Sequence, residues 1–150
     1  VRPVALILTF LVLMVAVTAT ALAAAATAKP FYVYTGRTTQ RITIRLAAEQ
    51  ASARWFRYRA KMACTDGSTF LDDYFSDDVP VNNNRFSVSD TSNAGAITTK
   101  VTGILSGKHA SGTIRIIERY SADAVNGVTP LAANGAIVCD SQSVKWSATA

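Results

Sequence analysis

The sequence predicts an all-β fold, an antiparallel β-sandwich or small barrel of about eight short strands behind an N-terminal export segment. Three observations predict it. After residue 28 apolar residues recur with period two, the signature of half-buried strands. Gly, Asn, Asp and Pro punctuate the chain at short intervals, as turns require. No stretch carries a convincing helical pattern, and the helix-friendly Ala47–Arg54 is short enough to be a connection. Composition agrees: 150 residues suffice for one ordinary domain, 49% hydrophobic content argues against disorder, and 17% charged content against a coiled coil.

Arg2 precedes an unbroken apolar run from Val4 to Val17, and small residues follow from Thr18 to Ala28. These are the n, h and c regions of a signal peptide. Ala21-Leu22-Ala23 and Ala26-Thr27-Ala28 each fit a signal peptidase, so residues 1–28 are expected to be cut after 23 or 28, leaving a single domain over 29–150. The expected location is secreted or extracytoplasmic, in the cell envelope. The competing reading is an uncleaved membrane anchor, because Val4 to Ala28 is uncharged and long enough for a hydrocarbon core of about 30 Å. Its Ala- and Thr-rich second half is weakly apolar for that role.

Gln40–Ala47 alternates Ile42, Ile44 and Leu46 against Arg41, Thr43 and Arg45. Arg54–Cys64 repeats the scheme, with Phe56, Tyr58, Ala60, Met62 and Cys64 on one face and Trp55, Arg57, Arg59 and Lys61 on the other. Thr65–Ser68 reads as a turn, Thr69–Ser76 as a strand, and Asp77–Asn84 as a loop holding Pro80 and three asparagines. Arg85–Ser89 is a short strand through Phe86 and Val88. Ala96–Leu105 places Ile97, Val101 and Leu105 together, and Thr113–Tyr120 does so for Ile114, Ile116 and Tyr120, with Ser106–Gly112 as the hairpin loop. A polar link, Ser121–Gly135, leads to a last hairpin through Ile137 and Cys139, then Val144, Trp146 and Ala148.

Both cysteines fall on apolar faces. In an exported domain two cysteines read as one disulfide, Cys64–Cys139. The rival reading, free thiols or a metal pair, lacks the further ligands a zinc site needs.

Several short motifs recur in order: Tyr34-Thr35-Gly36, Cys64-x-Asp66-Gly67, Asn84-Arg85-Phe86-Ser87, Val101-x-Gly103-x-Leu105-x-Gly107, Ala110-x-Gly112-Thr113, and Cys139-x-Ser141 before Val144-x-Trp146-x-Ala148. Over residues 32–149 the chain resembles a family of small secreted, uncharacterised β-domain proteins of actinobacterial type. That resemblance implies a signal peptide, a disulfide and an all-β fold, and it implies no activity. Trp55 precedes the first cysteine and Trp146 follows the second, outside the Cys, Trp, Cys order of immunoglobulin domains.

Charge is unevenly placed. Removal of residues 1–28 leaves a net +4, and Phe31–Cys64 holds seven basic residues against Glu49 alone, whereas Thr65–Asp90 holds six aspartates against Arg85. Arg41, Arg45, Arg57, Arg59 and Lys61 are expected to share one solvent face, with Trp55 as a stacking platform. Such a face suits an anionic cell-wall polymer, glycan or membrane-surface head group; nucleic acid is the less natural partner for an exported chain. The plain alternative is a solvated sheet face whose cations pair with the aspartates of the neighbouring hairpin.

Other candidates are weaker. His109 is the only histidine and sits on an expected hairpin tip, and no G-x-S-x-G or H-E-x-x-H occurs. Asp72, Asp73, Asp77, Asp78 and Asn82–Asn84 offer oxygens for calcium, but in no known loop spacing, and a solvated acidic hairpin is the simpler reading. No cofactor or metal is expected. Glu118 is in register with Ile114 and Ile116, so burial would suit it to a hydrolase acting with an aspartate; the plainer placement is the barrel rim beside Arg115 and Arg119. Ser121–Gly135 and Asn82–Asn84 are the loops an inhibitor or protein-binding domain would use. The overall expectation is a non-enzymatic binding domain.

Overall fold

The computed structural model describes residues 30–49, 52–122 and 130–150. The export segment and residues 123–129 of the Ser121–Gly135 link therefore lie outside the described residues.

The described chain forms nine strands: β1 (Tyr32–Thr38), β2 (Thr43–Glu49), β3 (Ser52–Cys64), β4 (Thr69–Pro80), β5 (Arg85–Ser92), β6 (Ile97–Ser106), β7 (His109–Tyr120), β8 (Ile137–Asp140) and β9 (Val144–Thr149). All pair antiparallel, in the order β4-β3-β2-β1-β9-β7-β6-β5, and β8 bridges β3 and β7. Six strands thus close a ring, β1-β2-β3-β8-β7-β9, and β4, β5 and β6 extend it. The expected small barrel is what forms.

Alternation explains which side chains go in. On β3, Phe56, Tyr58, Ala60 and Met62 are sealed inside, while Arg57, Arg59 and Lys61 are exposed. Phe56 packs at the centre, its ring 4.9 Å from Tyr58, 6.1 Å from Phe86 and 5.1 Å from Trp146. Burying each such ring contributes about 1.5–3 kcal/mol. Two glycines allow neighbouring strands to approach closely. A Cβ on Gly112 of β7 would lie 1.9 Å from the Thr102 carbonyl oxygen of β6, and one on Gly36 of β1 would lie 1.9 Å from that of Ser147 of β9, so these neighbouring strands approach closely only because the two positions are bare.

Several boundaries differ from the sequence expectation. β1 was not anticipated as a strand. β2 starts at Thr43, because the Arg41 N–H donates to the Thr38 carbonyl (2.9 Å) and Arg41 takes a left-handed φ of 63°, which makes Thr38–Ile42 a turn. β4 continues through Pro80 by pairing with the start of β3, so the expected Asp77–Asn84 loop shrinks to Asn82–Arg85, turning on Asn83 and Asn84 at φ 50° and 60°. The β6–β7 loop is likewise only Gly107-Lys108, with β7 already begun at His109. β8 and β9 are not a hairpin: both run along β7, end to end. Ser141 holds them there, its N–H donating to the Ile116 carbonyl (3.0 Å) and its Oγ accepting from the Ile116 N–H (2.9 Å).

The disulfide Cys64–Cys139 is formed, between directly opposed residues of β3 and β8. It ties the two halves of the ring where β3 and β8 pair at only Ala63↔Asp140 and Cys64↔Cys139.

Candidate binding face on the β1–β4 sheet

The outer face of β1–β4 carries the predicted cations, and register places them. Arg45 of β2 lies opposite Arg57 of β3, Arg59 lies opposite Asp73 of β4, and Lys61 lies opposite Leu71. Like charges directly across a ladder repel, so the Arg45–Arg57 pairing costs stability unless one charge is offset. Asp73 offsets it. The Arg57 guanidinium donates to both Asp73 oxygens, through Nη2 at 2.6 Å and Nε at 3.2 and 3.3 Å. These bonds hold the Asp73 carboxyl below its ordinary range, against a smaller opposing effect of desolvation.

Arg54 is also engaged, by Glu49 at 2.7 Å and Asp78 at 3.3 Å. The internal pairing with neighbouring aspartates is thus real for Arg54 and Arg57. Arg45 and Lys61 carry no ion pair among the described residues, and Arg59 feels Asp73 only through space. Lys61 is held by its backbone: the Gln40 side-chain amide bonds its carbonyl and its N–H, both at 2.8 Å, past the end of β2. The ammonium is left in solvent. An open depression of about 240 Å³ lies among Thr43, Arg45, Arg57, Tyr58, Arg59 and Asp73.

Trp55 is half-buried on the same face, opposite Ala47 and Asp77, and the Ala47 side of the pair is sealed from solvent. Arg41 sits in the β1–β2 turn, not in the β2 ladder, for the reason given above. The structure thus brings Arg45, Arg57, Arg59, Lys61 and Trp55 onto one sheet face and leaves Arg41 at its margin.

Glu118 is a second polar centre, and not a rim residue: it is 1% exposed. β7 turns it inward with Ile114 and Ile116, and both carboxyl oxygens accept hydrogen bonds, from the Tyr74 and Tyr120 hydroxyls. Burial, and then the hydrogen bond to Glu118, push both phenols above their ordinary value. Tyr58 stacks on Tyr74 at 5.7 Å, and Phe70 meets Tyr120 edge-on, also at 5.7 Å. Tyr74 and Tyr120 were not anticipated as partners. Tyr120 has a signal, being two residues from Glu118 on the same strand face; Tyr74 has none, because the bond joins residues 44 apart in sequence on strands that do not pair.

His109 is exposed at the start of β7. The aspartates of β4 do not gather: Asp73 turns to Arg57 and Asp78 to Arg54, and no group of three His, Cys, Asp or Glu side chains placed to hold a metal occurs among the described residues.

No family model matches the chain, and neither a curated protein nor a solved structure matches it. The fold and the face define a small disulfide-bridged antiparallel β-barrel with a polarised outer sheet. A formed disulfide is consistent with an oxidising, extracytoplasmic compartment.

Proposed function

We propose that this is an exported, non-enzymatic binding domain that holds an anionic cell-envelope polymer or glycan on the outer face of β1–β4. The observation that carries the reading is the division of the cations. Arg54 and Arg57 are neutralised by β4 and the β2 end, whereas Arg45, which lines the depression, and Lys61, two residues beyond Arg59 on β3, stand without an ion pair among the described residues. A charge that the fold does not use is available to a ligand, and a stiff sheet presents it at small entropic cost. Arg45 and Arg59 offer planar forks for phosphate or carboxylate, and Lys61 a point charge. Half-buried Trp55 offers an aromatic ring on which a sugar could stack.

The test is retention of the protein on isolated anionic envelope polymer. The Arg45→Gln, Arg59→Gln, Lys61→Gln triple variant, with unchanged circular dichroism and disulfide, is expected to lose retention by at least about tenfold. Unchanged retention of a folded triple variant would remove this face from the account.

A further inference from the structure

We propose that the free edge of β4 accepts, by strand addition, an extended segment of a partner protein that sets apolar residues opposite Leu71 and Phe75 and basic residues opposite Asp72 and Asp77. β4 runs for 12 residues at one end of the sheet and pairs with β3 alone among the described residues. It is longer than most strands, and edges of this kind are ordinarily short or covered.

The ladder says which groups are free. The Cys64 N–H donates to the Ser68 carbonyl at 2.9 Å, which fixes the alternation of bonded and non-bonded pairs up the β3–β4 hairpin. Leu71, Asp73, Phe75 and Asp77 fall at non-bonded pairs, so their N–H and C=O groups turn away from β3. The Asp73 amide agrees: it donates to the Asp72 carboxylate at 2.7 Å. Leu71, Phe75 and Asp77 therefore present an open row of donors and acceptors.

The same residues supply side-chain specificity. Phe75 is 59% and Leu71 43% exposed, both on the outer face. Asp73 and Asp78 are tied to arginines, whereas Asp72 and Asp77 carry no ion pair among the described residues. A second copy is a poor occupant: antiparallel pairing centred on Phe75 sets Asp73 against Asp77 and Asp72 against Asp78. A strand with Lys or Arg opposite Asp72 and Asp77, and apolar residues opposite Leu71 and Phe75, meets every demand. The other edge, β5, turns Ser87, Ser89 and Thr91 outward and offers no comparable apolar anchor.

The probe is an end-capped synthetic peptide of about ten residues, a usual strand length, with Val at the positions opposite Leu71 and Phe75, Lys at those opposite Asp72 and Asp77, and Thr elsewhere, so that its core reads Lys-Thr-Val-Thr-Thr-Lys-Val. Two further versions are N-methylated on one or the other set of alternate amides. The expected result is binding of the parent, loss with one methylated set and retention with the other, and slowed amide exchange at Leu71, Phe75 and Asp77. Phe75→Ser, and separately the Asp72→Asn, Asp77→Asn pair, are expected to weaken binding by at least about tenfold while leaving the fold intact. Equal binding of both methylated versions would mean plain charge adhesion and would overturn the proposal. So would exchange protection on β5 in place of β4, absence of binding, or a concentration-dependent dimer that Phe75→Ser abolishes.

Discussion

Replacing Cys64 and Cys139 together by Ala removes a cross-link that closes a loop of sequence separation 75. In the chain-entropy model, that loop restricts the unfolded chain by an amount worth about 4.5 kcal/mol at 25 °C. The native state keeps its strand pairing, so most of that figure should appear as lost stability, about a third or more of a small domain's usual margin. The local effect is also specific, because β8 is four residues long and meets β3 at only two register positions. Urea unfolding of the double variant should give a midpoint lower by the equivalent of about 4–5 kcal/mol, and a steeper slope as the unfolded chain expands. Amide exchange should quicken first at Val138 and Asp140. A loss below about 1 kcal/mol would refute the reasoning, since the bridge would then not restrict the unfolded state.

Other perturbations probe the interior. Tyr74 and Tyr120 have phenol pKa values raised above the ordinary 10.0, so the unfolded chain releases their protons first. Stability is then full below pH 10 and falls above it, by up to about 1.4 kcal/mol per pH unit from Tyr74 and less from the less deeply buried Tyr120. Phenolate absorbance that rises in step with unfolding is the check, and ionisation of both groups in the folded protein would contradict it. Tyr74→Phe leaves one Glu118 oxygen without its donor and should cost about 1–3 kcal/mol in urea unfolding, with no change at neutral pH counting against the buried pairing. Gly112→Ala forces a Cβ against the Thr102 carbonyl and the Trp146 ring and should cost about 3 kcal/mol. Gly67→Ala, at φ 86° with open space around it, should cost only about 1–2 kcal/mol, and thermal melts that reverse this order would contradict the close approach of the strands at β7.

What was legible in the sequence was whatever alternation alone decides. Arg54–Cys64 has an unbroken period of two, so its inward and outward faces, and the inward first cysteine, could be read directly. β1 could not: Phe31 and Val33 are apolar yet exposed, and Gly36 gives no side chain to count. The β8–β9 hairpin failed because proximity in sequence is no guide when Ser141 bonds to Ile116 and keeps the chain running along β7. In the site, the charges were visible but not their division. Which arginines are spent depends on the β3–β4 register, which sets Asp73 beside Arg57 and Arg59, and on β4 continuing to Pro80, which brings Asp78 to Arg54. Likewise register aligns Glu118 with Ile114 and Ile116, yet the expected rim placement fails, because its burial beside Tyr74 is a property of the whole barrel.

The central claim is that the outer face of β1–β4 holds a polyanion through Arg45, Arg59 and Lys61, with Asp73 withholding Arg57. The salt dependence of binding to a defined polyphosphate chain tests it most directly. Counterion release makes log K fall linearly with log salt, and each cation removed should make the slope shallower by about one. The account predicts that shallowing for Arg45→Gln, Arg59→Gln and Lys61→Gln, and a steeper slope with tighter binding for Asp73→Asn, which frees Arg57. Binding that ignores salt, or an Asp73→Asn protein that binds no better than the parent, would contradict it.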